Sequence, residues 1–293
     1  MLETLSQVLV NSLASALVLS LVAIGFTYIF RVTRVLHLAH GGVYVVGAFA
    51  FWWVLTKTNN WSMAIAVALA AVTILIYSIE KTVYLPLSKG QANQSISLIA
   101  SLGLYVTIVN TLALLFGNEN KLVGDLTSGS FKWAGVILTK VQATQITVGI
   151  ATISAFAIYI KFTKSRLALQ SLSDNKTVSE VLGVNTQKER LRVLVAGSML
   201  ACTAAVLKLL EEGIDPQAGL SVTLTAIVVT VLVSRLDLLL IIAFTFALTL
   251  LQNSVEWFLD AQWRNAITFA ILLLVILFRT EGVISYKLRK DRI

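Results

Sequence analysis

The sequence is poor in charged residues. Only 13% of its 293 residues are Asp, Glu, Lys or Arg, about half of what a soluble domain carries. Hydrophobic residues make up 57%, so polar side chains could not cover a water-soluble globule. With two prolines and sixteen glycines, the composition also excludes collagen and low-complexity disorder. It therefore predicts a protein whose solvent is a lipid bilayer.

Cysteine and histidine are almost absent. The single Cys202 lies in an apolar run, which excludes an internal disulfide and a thiolate metal cage. The only histidines are His37 and His40, and no Asp or Glu between Glu3 and Glu80 could complete a local metal site or orient a catalytic histidine. The sequence also lacks the Gly-x-x-x-x-Gly-Lys-Ser/Thr motif that holds nucleotide phosphates. We therefore expect no catalytic residue, no metal and no cofactor in this chain.

Long apolar runs, by contrast, recur along the whole chain. A helix needs about 20 residues to cross the hydrocarbon core, so these runs predict an all-α polytopic transmembrane bundle of eight or nine spans in a single domain, residues 1–293. The first run is too long for a cleavable signal peptide and has no Lys or Arg before it. The number stays open because only Arg235 and Asp237 separate the seventh run from the eighth. The predicted spans are 8–30, 35–56, 61–84, 95–116, 142–161, 192–210, 220–234, 236–253 and 265–279.

The distribution of lysine and arginine predicts the orientation. If loop 162–191 is cytoplasmic, alternation of the spans places most of the 23 basic residues on that side. The amino terminus is then outside, the carboxyl terminus is inside, and the membrane is a bacterial-type cytoplasmic (inner) membrane. The net charge of +8 then needs no nucleic acid to explain it. The opposite side collects acids in short loops, namely Glu211, Glu212, Asp215, Glu256 and Asp260.

Two loops are long enough to carry structure of their own. The external loop 117–141 has a polar middle and an apolar end, and it fits either a small hairpin or a half-inserted helix. The cytoplasmic loop 162–191 contains the signals of a short helix. That helix would be marginal alone in water, so it either docks into a partner or lies on the inner surface of the protein itself. Its signals are Asp174 or Asn175 as a cap, Thr177 and Glu180 at capping-box spacing, Val178, Val181 and Leu182 on one apolar face, and Gly183 with Asn185 as a stop.

The start of the second predicted span is also unusual. His37 and His40 are spaced to share one helix face, and Tyr44 follows one turn later. Gly41 and the nearby glycines allow a neighbouring helix to approach closely, or allow a break in the span. Two interpretations remain open. The histidines either hold helices together by hydrogen bonds or line a pathway through the membrane.

Four patterns in this order resemble a known family. The segment His37-Leu-Ala-His40-Gly41-Gly42-Val-Tyr44 resembles the Asn-Phe-Ala-His-Gly-Glu-hydrophobic-Tyr signature of the permeases of branched-chain amino acid ABC importers, the LivH type. The other three patterns are Arg166 to Asn185, similar to the cytoplasmic coupling loop of that family; Gly213 to Gly219 with Asp215 and Pro216, similar to its external Asn/Ser-Pro-x-x-Gly turn; and Phe278 to Val283, similar to its terminal Arg-Pro-x-Gly-Leu.

The resemblance implies a transport subunit and not an enzyme. In such importers, separate ATPase subunits bind ATP and drive the permease through a short helix, which here is the helix of loop 162–191. A second, paralogous permease and an extracytoplasmic substrate-binding protein complete the complex. An importer for urea or short amides is an alternative within the class. A self-contained secondary carrier or channel would need mid-span charges, which are scarce here, and a membrane-embedded enzyme built on His37 and His40 would lack a carboxylate partner.

The sequence also departs from the family pattern. His37 stands where the signature has Asn, and Gly42 stands where it has Glu. The family has a glycine-rich segment after the external turn, but no glycine occurs here between Gly219 and Gly282. We therefore expect bulkier side chains to pack in this part of the bundle.

Overall fold

The computed structural model describes residues 2–90, 92–124, 129–133, 136–162, 165–174, 176–233, 236–260 and 262–278. In these ranges the chain forms helices packed side by side and one β-hairpin. The helices are α1 (Leu2–Thr33), α2 (Ala39–Thr58), α3 (Trp61–Ile79), a π-helical turn (Glu80–Tyr84), α4 (Leu85–Lys89), α5 (Gln94–Phe116), α6 (Lys140–Phe162), α7 (Ser165–Asp174), α8 (Lys176–Val181), α9 (Thr186–Glu212), α10 (Ala218–Leu232), α11 (Leu238–Phe258) and α12 (Trp263–Phe278). The strands are β1 (Ser130–Trp133) and β2 (Val136–Thr139).

The length and hydropathy of the helices confirm an all-α polytopic membrane protein. Among the described residues, seven helices are long and apolar enough to cross a membrane: α1, α2, the continuous helix 61–89, α5, α6, α9 and α11. The predicted spans 220–234 and 265–279 correspond to α10 and α12, which have 15 and 16 described residues. At 1.5 Å per residue, α10 is about 22 Å long, shorter than the hydrocarbon core of about 30 Å.

Three helices form the centre of the bundle. In α1, α2 and α9, 78%, 72% and 61% of the most apolar stretch is buried inside the protein, against 28% or less in the other long helices. Glycines let these three helices approach one another. A Cβ atom on Gly25 of α1 would lie 2.6 Å from the carbonyl oxygen of Gly197 in α9, and one on Gly47 of α2 would lie 2.7 Å from Cys202 Sγ. Small residues are the usual means of close helix contact in a membrane.

Two helices do not begin where the corresponding predicted spans begin. Helix α9 begins at Thr186 and not at 192, because the Asn185 side chain accepts a hydrogen bond from the Lys188 N–H at 3.0 Å and so caps a polar first turn. Hydropathy does not detect such a turn. Helix α2 begins at Ala39 and not at 35, after a break in which Arg34 adopts a left-handed φ of 56°.

In the described part of the external loop 117–141, two paired strands form a hairpin, one of the two predicted alternatives, and no helix occurs there before α6. Strands β1 and β2 pair antiparallel, with Ser130 opposite Thr139. Gln7 near the start of α1 exchanges two hydrogen bonds with the backbone of Ile137, each 2.9 Å long. The hairpin is therefore fixed to the first turns of α1.

Contacts along α1 separate the two long loops. At its amino-terminal end α1 holds the hairpin of loop 117–141. At its carboxyl-terminal end, Arg31 donates a hydrogen bond to the Val233 carbonyl and Arg34 donates one to the Ser173 carbonyl. The loops 117–141 and 162–191 therefore lie at opposite ends of this 32-residue helix.

Some predicted features lie outside the described residues. These are the cap residue Asn175, Arg235 at the proposed break after the seventh span, the terminal motif from Arg279 to Val283, and the carboxyl-terminal tail 285–293.

Candidate functional site

Helix α7 forms the base of the predicted coupling loop. Its apolar residues Leu169 and Leu172 are each 3% exposed, and the Arg34 guanidinium holds its last turn through the Ser173 carbonyl. Helix α8, which begins at Lys176, lies against α7 and α9. The short helix is therefore carried on elements that are joined to the membrane bundle.

The end of α8 follows from one glycine. Gly183 has a φ of +82°, the left-handed conformation that glycine adopts without strain. Its N–H bonds to the Glu180 carbonyl and the Val184 N–H bonds to the Ser179 carbonyl, both at 3.0 Å, which is the Schellman pattern of helix termination. The predicted stop at Gly183 is thus confirmed, whereas Asn185 caps the following helix and takes no part in this stop.

The predicted start of α8 needs a correction. Thr177 is the second residue of the helix and not the residue that precedes it. The capping-box assignment of Thr177 with Glu180 is therefore wrong, because such a box places Ser or Thr at the cap position. Asp174 is the last residue of α7 and also does not precede α8 directly.

An apolar face of α8 is open to the surroundings. Val178 is 52% exposed, Val181 83% and Leu182 72%, while Ser179 on the opposite side is fully buried. Exposed apolar side chains on so short and anchored a helix are typical of a docking surface. All eight residues predicted for coupling are exposed, namely Asp174, Thr177, Val178, Glu180, Val181, Leu182, Gly183 and Asn185.

His37 joins three elements inside the bundle. It precedes α2, so the two histidines do not share one helix face, although their rings lie 5.7 Å apart. His37 Nδ1 lies 2.6 Å from the Tyr84 hydroxyl oxygen, and that hydroxyl donates to Ser101 Oγ at 3.0 Å. Ser101 Oγ also accepts the Ala39 N–H at 2.9 Å. The network connects the start of α2 to the π-helical turn and to α5.

His40 is buried without such partners. Neither of its ring nitrogens makes a hydrogen bond within the described chain, and its ring packs edge-on against Phe26 at 5.8 Å. Tyr44, one turn further along α2, is 1% exposed. Buried polar atoms without partners are uncommon in proteins, so His40 is the least satisfied polar side chain of the predicted histidine segment.

The histidine segment and the external turn meet at two glycines. A Cβ atom on Gly219 would lie 2.2 Å from the Gly41 carbonyl oxygen, and one on Gly41 would lie 2.5 Å from the Gly219 carbonyl oxygen. The backbones of α2 and α10 are thus in direct contact. The turn before Gly219 is closed by Asp215, whose Oδ1 accepts the Gln217 N–H at 2.7 Å, and Pro216 beside it is buried.

Sequence analysis missed a buried ion pair. Arg190 Nε in the first turns of α9 lies 2.9 Å from Glu80 Oε1 in the π-helical turn, and the two side chains are 13% and 6% exposed. The Arg190 guanidinium also lies 5.9 Å from the centre of the Tyr84 ring. The only sequence signal was that both charges fall at predicted inner ends of spans. The π-helical turn itself is a feature frequently found at functional sites.

These features define a multi-pass helical membrane protein with a short helix, apolar on its exposed face, at one end of the bundle. Over residues 8–276 the sequence matches the family described as the permease component of the branched-chain amino acid transport system. The match covers most of the chain, and the protein belongs to this family of ABC importer permeases.

Characterised relatives support the same assignment. The chain is 25% identical to the high-affinity branched-chain amino acid transport system permease protein BraD of Pseudomonas aeruginosa over 302 residues, covering 95% of each protein. It is 23% identical to the LivH permeases of Salmonella typhimurium and Escherichia coli K12, again over 95% of each. No solved structure matches the chain.

Proposed function

We propose that this chain imports branched-chain or other hydrophobic amino acids as one of two membrane-spanning subunits of an ATP-driven complex. The observation that carries the proposal is the exposed apolar face of α8 in a chain of this permease family. Covering Val178, Val181 and Leu182 in a groove of an ATPase would contribute about 1.5–3 kcal/mol per side chain before ordering costs. The chain itself would bind no cofactor, and ATP would bind to the partner subunits.

The proposed topology has nine crossings, with the amino terminus outside and the carboxyl terminus inside. The separation of loops 117–141 and 162–191 along α1 supports it. Helix α10 is included as a crossing, because the contact of Arg31 with Val233 brings its end to the end of the bundle that carries α7. Helix α12 is included on the apolar character of its 16 described residues. The family supports a bacterial inner-membrane location, and the proposed complex also contains a paralogous second permease and an extracytoplasmic substrate-binding protein.

Reconstitution with its partners tests this function. The chain is co-expressed with candidate ATPase, permease and binding-protein subunits, purified by a tag on this chain, and placed in liposomes that contain ATP. We expect co-purified ATPases and uptake of radiolabelled leucine that requires the binding protein. Uptake of urea or a short amide in place of leucine would replace the substrate assignment. A chain that purifies alone and transports without ATP would instead be a secondary carrier.

A further inference from the structure

A cleft of ≈ 340 Å³ lies at the end of the bundle that carries loop 117–141. It is enclosed by five central and peripheral helices, α1, α2, α9, α10 and α11, and by Arg264 of α12. Asn120 lies at its mouth and donates a hydrogen bond to the Glu212 carbonyl at 2.9 Å. Under the proposed topology the cleft opens to the outside, and its volume is in the usual range for small-molecule sites.

The upper wall of the cleft carries charges of both signs. Lys208 Nζ lies 2.6 Å from Glu212 Oε1 and 3.7 Å from Glu211 Oε2. On the other side, Arg264 Nη1 lies 3.3 Å from Glu256 Oε2, in an adjoining cleft that shares Glu211, Glu212 and Arg264 with the first. The four side chains Lys208, Glu211, Glu212 and Arg264 are between 22% and 53% exposed. Glu211 also accepts a hydrogen bond from Gln145 Nε2 at 3.0 Å. A ligand must therefore replace part of these pairings, and Glu212, at 53% exposed, is the most accessible of the four.

Away from these charges, apolar and uncharged polar side chains line the cleft together. The apolar residues include Val18 and Val22 of α1 and Val222 of α10, and the polar ones include Thr225, Thr249 and Gln252. Tyr44 also lines the cleft and is 1% exposed, and within the described residues its hydroxyl makes no hydrogen bond. An unpaired hydroxyl that lines the cleft can bind a polar group that enters it.

We propose that this cleft is a transit site for the zwitterion of an apolar α-amino acid. The ammonium group binds between the carboxylates of Glu211 and Glu212, and the α-carboxylate binds Arg264, whose guanidinium matches it in shape. The apolar side chain then lies on Val22 and Val222. This inference rests on the proposed function, since it takes its substrate class from there.

The arrangement of the cleft selects this class over others. A metal cation or an inorganic anion would use charges of one sign and leave the apolar side chains unused. An uncharged amide can hydrogen-bond to a carboxylate and to a guanidinium, but it brings no charge that matches either of them. Only a ligand with two opposite charges at one end and an apolar group at the other uses all three parts of the cleft.

The first test measures transport by the reconstituted complex with saturating binding protein. A charged hydrogen bond is worth about 1.4 kcal/mol or more, or about a tenfold change. Glu211→Gln with Glu212→Gln should therefore lower leucine uptake about tenfold or more. Asp260→Asn is the matched control, because it removes one acid at the same end of the bundle from a residue that does not line the cleft, and it should transport normally. Equal uptake by the glutamine variant and the wild type would contradict the proposal.

A second test measures occupancy without transport. Ser221 lines the cleft, so Ser221→Cys is introduced with Cys202→Ala and the purified complex is labelled with a charged maleimide. Leucine should slow the labelling. Isocaproate, which lacks the ammonium, and isopentylamine, which lacks the carboxylate, should slow it much less at the same concentration.

The two tests separate the site from the function. One outcome is that the wild-type complex takes up leucine while leucine leaves the labelling rate of the Ser221→Cys complex unchanged. That result would overturn the transit site but not the importer function. A wild-type complex that fails to take up leucine would overturn the proposed substrate. Protection of Ser221→Cys by leucine alone among the three probes would still establish the site in that case.

Discussion

At the scale of single residues, the contact of Gly41 with Gly219 has no room for any side chain. Because a Cβ atom on Gly219 would lie 2.2 Å from a backbone oxygen, the helices must move apart to accept even a methyl group. We expect Gly219→Ala to lower the free energy of unfolding by about 1–3 kcal/mol, the usual effect of overpacking. Thermal unfolding in detergent measures this.

Gly103 provides the control for that substitution. It lies within a membrane helix, α5, but nothing is within 4 Å of a Cβ atom built on it. Gly103→Ala should therefore unfold at or slightly above the wild-type temperature, since alanine is the better helix former. Equal destabilisation by both changes would show that the contact of α2 with α10 does not limit stability.

The Glu80–Arg190 pair gives a second prediction at this scale. Removing one partner leaves a buried charge unpaired, which costs about 3–5 kcal/mol. Glu80→Gln and Arg190→Gln should each lower the unfolding temperature strongly. The double variant should be more stable than either single variant, because it buries two neutral amides instead of one uncompensated charge. Additive losses in the double-mutant cycle would show that the pair is not coupled.

At the scale of secondary-structure elements, helix α8 carries the prediction with the clearest functional result. Val181→Asp with Leu182→Asp places two charges on a face from which water must be excluded when an ATPase covers it. We expect loss of the ATPase subunits on purification, or loss of substrate-stimulated ATP hydrolysis. Membrane insertion should be unaffected, since α8 lies outside every span.

A conservative variant distinguishes docking from folding in this experiment. Val181→Ile with Leu182→Met keeps the face apolar and should retain the ATPases and the stimulated hydrolysis. If the aspartate variant also retains both activities, the coupling assignment is wrong and α8 is ordinary surface.

The secondary-structure elements also show which features of the fold can be predicted from the sequence and which cannot. Hydropathy located every long helix, because burial in lipid requires a continuous apolar run, and Gly183 located the end of α8. The starts of α9 and α2 differ from the starts of the predicted spans by several residues, since the Asn185 side-chain cap and the left-handed backbone of Arg34 leave no signal in hydropathy. The choice of a hairpin in loop 117–141 depends on its hydrogen bonds to Gln7, which is distant in sequence.

The candidate sites also divide into those formed by neighbours in the sequence and those formed by distant segments. The exposed face of α8 was predictable, because its residues are neighbours in the chain. The contact of Gly41 with Gly219 and the pairing of Glu80 with Arg190 were not, because each joins segments separated by several spans. The sequence shows the acids of the outer cleft, but only the packing of the helices shows which side chains of α1 and α10 lie beside them.

At the scale of the whole molecule, the orientation in the membrane can be tested directly. In a Cys202→Ala background, Ser173→Cys should react with an impermeant thiol reagent only after the cells are opened. Asn118→Cys, an exposed position in the other long loop, should react in intact cells. Reaction of Ser173→Cys from outside would reverse the topology and place α8 away from any cytoplasmic ATPase.

The buried pair of Glu80 and Arg190 also has a consequence for how the protein is made. The ribosome completes Glu80 well before Arg190, and two further membrane helices, α5 and α6, emerge between them. During that interval Glu80 lies at the inner end of its helix without its counter-ion. The contact between the π-helical turn and α9 can therefore form only after the later part of the chain is synthesised.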